Sequence, residues 1–127
     1  MPHFSVHLRE DTLDGTVEPR LIAALTDAVG AVFGENFRRL VGVDLIGIPT
    51  HRRGLGGAPA AHETPLVTLS LREAAFHLPQ IPDAPARLVA EITDAVANAL
   101  GEPTREHTVV TLTGTPEGRS GVAGSLA

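Results

Sequence analysis

Arg20-Leu21-Ile22-Ala23-Ala24-Leu25-Thr26-Asp27-Ala28-Val29 returns 67 residues later as Arg87-Leu88-Val89-Ala90-Glu91-Ile92-Thr93-Asp94-Ala95-Val96. The same spacing relates Gly34 to Gly101, Glu35 to Glu102, Arg38 to Arg105, Pro49 to Pro116, Arg52 to Arg119, Gly54 to Gly121 and Gly57 to Gly124. Upstream of the helices the spacing is 63: Leu8-Arg9-Glu10 recurs as Leu71-Arg72-Glu73, and Pro2 as Pro65. A gap ahead of the second helix accounts for the difference. An internal repeat dictates architecture, because each copy must bury its apolar face against a neighbour.

Outward from these helices, each copy reads the same way. Leu21, Leu25, Ala28, Val29 and Val32 recur at helical spacing over 17–33, with Thr16 as N-cap and Gly34 as the stop. In the second copy Leu88, Ile92, Val96, Ala99 and Leu100 face inward over 84–100, opened by Asp83 and Pro85 and closed by Gly101. Residues 2–8 alternate, with Phe4, Val6 and Leu8 opposite His3, Ser5 and His7, which predicts a half-buried strand. Residues 65–72 repeat it with Val67, Leu69 and Leu71. Further strands are expected over 41–48 and 107–113, a Gly-rich loop over 50–63, a Pro-containing connection over 74–82 and a small, polar tail over 115–127.

The expected fold is therefore α+β: a tandem β-α-β repeat whose four strands form one sheet with both helices on one face. Each crossover of this length joins parallel strands. The chain is expected to be a single domain over 1–127, with repeat one at 1–63 and repeat two at 64–127, since units of this size are marginal alone. The open sheet face is expected to hold apolar residues that a further subunit covers.

Composition removes several chemistries. The chain of 127 residues has no Cys, so thiol nucleophiles, disulfides and Cys-ligated metals are excluded. All ten basic residues are Arg, which excludes a Schiff-base lysine. A net charge of −5 speaks against non-specific nucleic-acid binding. The beginning, Met-Pro-His-Phe-Ser, lacks the basic and long apolar regions of a signal peptide, and no run of 18 apolar residues occurs. The expectation is a cytoplasmic protein with no membrane or nucleic-acid partner.

Once Met1 is removed, Pro2 carries a secondary amine, which in a chain without Lys is the sole free amine. An α-amine titrates near neutrality, and an apolar pocket lowers its pKa by disfavouring the cation. A neutral amine there can take a proton from carbon beside a carbonyl and return it elsewhere. Pro65 cannot do this, because its nitrogen lies inside the chain; one site per subunit is expected. Arg72 is a candidate to pair with a substrate carboxylate and draw charge toward an enolate. Arg9 is its copy-one mirror, and Arg52 and Arg53 beside glycines read as an anion-binding loop or a charged turn. His3 and His7 share one strand face as polar filler without a third ligand, so no metal is expected. Asp27 and Asp94 read as helix packing or surface charge.

Pro2 directly after Met1, the duplicated β-α-β unit, the segment His51-Arg52-Arg53-Gly54-Leu55-Gly56-Gly57 after the second strand, and Arg72 closing the first strand of copy two together resemble the tautomerase superfamily. This is the group of 4-oxalocrotonate tautomerase, macrophage migration inhibitory factor and cis-3-chloroacrylic acid dehalogenase. The resemblance covers nearly the whole chain. It implies a cofactor-independent tautomerase or isomerase acting on an α-keto acid or enol, with Pro2 and Arg72 catalytic, Arg9, Arg52 and Arg53 binding a small-molecule carboxylate substrate, and assembly as a homotrimer.

The chain also departs from that pattern. Gly42 and Val109 stand where short tautomerases have an Arg, and Val29 where the dehalogenases have a His. Ala75 stands where they have a second Arg, and there is no Tyr. These departures speak against dehalogenation. They leave two alternatives open: a hydratase or decarboxylase of a short oxo-acid with Pro2 as acid, and a non-catalytic interaction protein that retains the fold.

Overall fold

The computed structural model describes all 127 residues. Strand β1 (His3–Arg9) leads through a 3-10 turn (Glu10–Thr12) to helix α1 (Val17–Phe33), a single turn α2 (Glu35–Arg38) and strand β2 (Gly42–Ile48). A second 3-10 turn (Thr50–Arg52) precedes a small hairpin, β3 (Gly54–Leu55) and β4 (Ala58–Pro59). Copy two repeats this order with β5 (Leu66–Arg72), a 3-10 turn (Glu73–His77), α3 (Ala84–Leu100), a 3-10 turn (Glu102–His107), β6 (Val109–Thr115) and the hairpin β7 (Gly121–Val122) and β8 (Ser125–Leu126). Both long helices occupy the residues the periodicity predicts.

The sheet order is β2-β1-β5-β6. β1 runs parallel to β2, and β5 parallel to β6, while β1 and β5 pair antiparallel at the centre. The two copies are thus related by a pseudo-two-fold axis through the middle of the sheet. Phe4, Val6 and Leu8 with Val67, Leu69 and Leu71 form one buried face, sealed by Leu21, Leu25 and Val29 of α1 and Leu88, Ile92 and Val96 of α3. Removing these apolar side chains from water is the main stabilising term, about 1.5–3 kcal/mol for each. The helices lie antiparallel, and each lends an Arg to the other's last turn. Arg20 donates to the Ala99 carbonyl at 2.7 Å and Arg87 to the Ala31 carbonyl at 3.0 Å, satisfying acceptors that a helix end leaves open.

Several local expectations are corrected. Asp14, rather than Thr16, caps α1: its Oδ1 accepts from the Thr16 and Val17 amides and the Thr16 hydroxyl. Asp83 makes no side-chain capping bond at α3. Leu100 packs against the core as expected but is only partly buried, and Ala95 and Ala97 join the buried set. The stretch 50–63 is a turn and a hairpin, as is the tail. Two-residue strands are too short to show alternation.

The open sheet face is more polar than expected. It carries His3, Ser5, His7, Thr68, Ser70, Thr111 and Thr113, with His3 bonded to Asp44 at 3.0 Å and Ser70 to Thr113 at 2.8 Å. Its main apolar part is one row across the sheet, where Ile46, Leu66 and Val109 flank His7 and are 39–51% exposed, with Ile48 beside Arg9 on the same face.

Candidate active site

Pro2 opens β1, and its carbonyl accepts the Gly42 amide at 2.9 Å; Pro65 repeats this contact with Val109, also at 2.9 Å. The β1–β5 register ends at His3 opposite Ser70, so continuing it sets Pro2 beside Leu71 and Met1 beside Arg72. Pro2 is buried, and with Arg72 it lines a cavity of about 300 Å³. Phe37 of α2 and Leu40 of the turn after it form one wall, and Leu71, Ala74, Ala75 and Leu78 the other. Met1 completes the lining, and Arg72 supplies its one charged side chain.

Arg72 meets no carboxylate or carbonyl in the chain. Six other arginines do: Arg9, Arg20, Arg38, Arg53, Arg87 and Arg105. An uncommitted guanidinium beside an apolar cavity has its bidentate fork available for an incoming carboxylate. Arg72 also borders a larger cavity of about 750 Å³, shared with Glu73, His77, Thr115 and Ser120. There His77 Nε2 lies 3.0 Å from Glu73 Oε1.

Of the anion-binding candidates, Arg72 alone joins Pro2 within the chain. Arg9 sits at the opposite end of β1, roughly 24 Å away at the rise of an extended strand. Its guanidinium is paired with Asp11 at 2.7–3.1 Å. Arg52 and Arg53 follow β2, which runs parallel to β1, and so lie at the same remote end. Arg53 is committed to the Thr64 hydroxyl and carbonyl, pinning the hairpin to the linker. The reason is the antiparallel centre: it brings the start of β1 to the end of β5 and carries the end of β1 away.

The α2 wall and the His77–Glu73 pair were not anticipated. A four-residue helix has no measurable period. The recurrence of Glu10 at Glu73 was the one available signal for the second.

No family model matches the chain, and no curated protein matches it in sequence. Solved structures do match. Native fused 4-OT superposes with a TM-score of 0.84 at 23% identity, covering 98% of this chain and 94% of that one. Fused 4-OT has been solved as symmetric and asymmetric trimers. A member of the cis-3-chloroacrylic acid dehalogenase family gives 0.81 at 22% identity, covering 98% and 82%. A macrophage migration inhibitory factor-like protein from Entamoeba histolytica gives 0.74 at 10% identity, covering 99% and 98%. With its paired β-α-β units and central antiparallel strands, this chain has the fold of the tautomerase superfamily.

Proposed function

We propose that the chain is a cofactor-independent enzyme that moves a proton between carbon and oxygen, or carbon and carbon, of an α-keto acid or its enol. The observation that carries this reading is the shared cavity of Pro2 and Arg72. With Met1 removed, the Pro2 nitrogen is a secondary amine in an apolar lining. Desolvation and the nearby Arg72 cation both favour its neutral form. The neutral amine takes a proton from the carbon beside the substrate carbonyl; the electron pair moves onto the carbonyl oxygen as an enolate. Arg72 holds the carboxylate and offsets that charge. The ammonium then returns its proton at the other position, restoring the amine.

With Met1 retained, the Pro2 nitrogen is an amide and has no lone pair for this step. The test is therefore exchange of α-protons of short 2-oxo acids in deuterated water, followed by proton NMR. It uses protein whose intact mass shows Met1 to be absent. Pro2→Ala and a chain extended by one residue ahead of Pro2 are the comparisons. A positioned base contributes roughly 10²–10⁴-fold, and the extended chain should lose that factor. Equal exchange by the extended chain would refute the role of Pro2.

Ala75 and Gly42 supply no second cation near the site, which favours a non-catalytic protein as the alternative. Absence of Pro2-dependent exchange across the acids would support it. The same acids assayed for hydration and loss of carbon dioxide test Pro2 as an acid. The active form is proposed to be a trimer, as fused 4-OT is.

A further inference from the structure

The pseudo-two-fold axis pairs the Pro2 cavity with a second one at the far end of the sheet. Shifting by the repeat spacings carries Arg72 onto Arg9, Ala75 onto Thr12, Phe37 onto Thr104 and Leu40 onto His107. Phe37 and Leu40 line the first cavity; Thr104 and His107 line another of about 480 Å³. Glu63 lines this second cavity as well. Its carboxylate lies across the Arg9 amide, at 3.2 Å from Oε1 and 3.1 Å from Oε2, and accepts the Thr12 hydroxyl. An amide and a hydroxyl converging on one carboxylate, beside an Arg at a strand end, make an oxyanion-binding site. Here the chain fills it with its own side chain. At the other end the β1–β5 ladder stops at Ser70, and no Glu63 counterpart caps the Arg72 amide.

We propose that the Arg9 end of the sheet is a second carboxylate-binding site, the pseudo-symmetric counterpart of the Arg72 end, and is held shut by Glu63. Arg9 and Thr12 supply the donors, and the polar cavity beside His62 and His107 gives the access. Glu63 is thus the residue that confines small carboxylates to the Arg72 end. It does so through donors of the backbone and Thr12, independently of any reaction at Pro2.

The test is amide NMR of the full chain titrated with sodium acetate, against sodium chloride at equal ionic strength. In the unaltered protein the Arg9 and Thr12 amides should not respond specifically to acetate. In Glu63→Ala they should move saturably, and Glu63→Gln, whose amide oxygen can still accept from Arg9, should remain closed. A folded Glu63→Ala whose Arg9 and Thr12 amides ignore acetate overturns the proposal, as does an equal response in the unaltered chain. Where Glu63→Ala does not fold in chloride, acetate should restore the folded spectrum by binding only that state. Failure to restore it also counts against the site.

Discussion

Pro2 and Arg72 line one cavity because the two β-α-β copies meet along antiparallel strands. A parallel centre would have set Pro2 beside Pro65 and left both arginines at the far end. The single charged side chain in this lining is then expected to govern affinity for an acidic substrate. Arg72→Ala should reduce kcat/KM by roughly ten- to a hundredfold, the scale of one lost charged hydrogen bond. Arg72→Lys should recover only part, since an ammonium lacks the planar fork. Thermal unfolding should be unchanged, because Arg72 has no partner within the chain. Steady-state kinetics beside a melting curve checks both statements, and a large fall in Tm would mean Arg72 is structural instead.

The exposed row of Ile46, Leu66 and Val109, with Leu55, Val122 and Leu126 on the hairpins, is the apolar surface a trimer would cover. Sedimentation should give three times the chain mass of 13.3 kDa. Leu66→Asp places a charge in the middle of that row and should shift the protein to monomers at micromolar concentration. A variant that sediments like the parent would place the contact elsewhere.

Asp27–Arg38 and Asp94–Arg105 are one ion pair written twice, at 2.8 and 2.5 Å, each tying a helix to the turn that follows it. Arg105 also takes Glu102 at 2.6 Å, and its hydrogen bond holds that carboxyl below the usual range. Asp14 is lowered too, first by the amide of Thr16. A carboxyl lowered in the folded state contributes stability above its ordinary pKa, which is lost as pH falls through the lowered value. Denaturant midpoints should therefore decline from about pH 4.5 downward, and more gently in Asp14→Asn and Glu102→Gln. Asp14, Asp94, Glu102 and Arg105 are all exposed, so 1 M salt should shrink the Asp94–Arg105 contribution. An unchanged acid slope in both variants would remove them as its source.

Gly47 and Gly114 are also repeat equivalents. A Cβ on Gly47 would lie 3.2 Å from the Glu10 Cα, and one on Gly114 3.1 Å from the Glu73 Cα. The backbone of each 3-10 turn cannot yield as a side chain can. Gly47→Ala and Gly114→Ala should each cost about 1–3 kcal/mol, the usual range for overpacking. Gly114→Ala should also disturb Glu73 and its contact with His77. Urea unfolding of each variant measures the first effect, and a cost near zero would show that the turn moves freely.

Much of the fold was legible from residues alone. A 17-residue amphipathic helix carries several periods, so both long helices matched their expected bounds. Alternation located β1 and β5, the Pro49 stop and the Thr- and Val-rich composition located β2 and β6, and Gly34 and Gly101, both at positive φ, end the helices as expected. The misread parts lack such a signal. The cap of α1 comes from Asp14, three residues ahead of Val17, and the choice among neighbouring polar residues depends on how the loop bends.

The sequence by itself determined the two copies, their elements, their buried faces and the two prolines. That follows from local physics, since helical and strand periods are properties of neighbouring residues. Only the tertiary structure decided which Arg stands beside Pro2, because a repeat is silent about the direction in which its copies pair. Arg9 and Arg72 are equivalent in sequence. The antiparallel contact of β1 with β5 set one against Pro2, and the linker delivered Glu63 to the other.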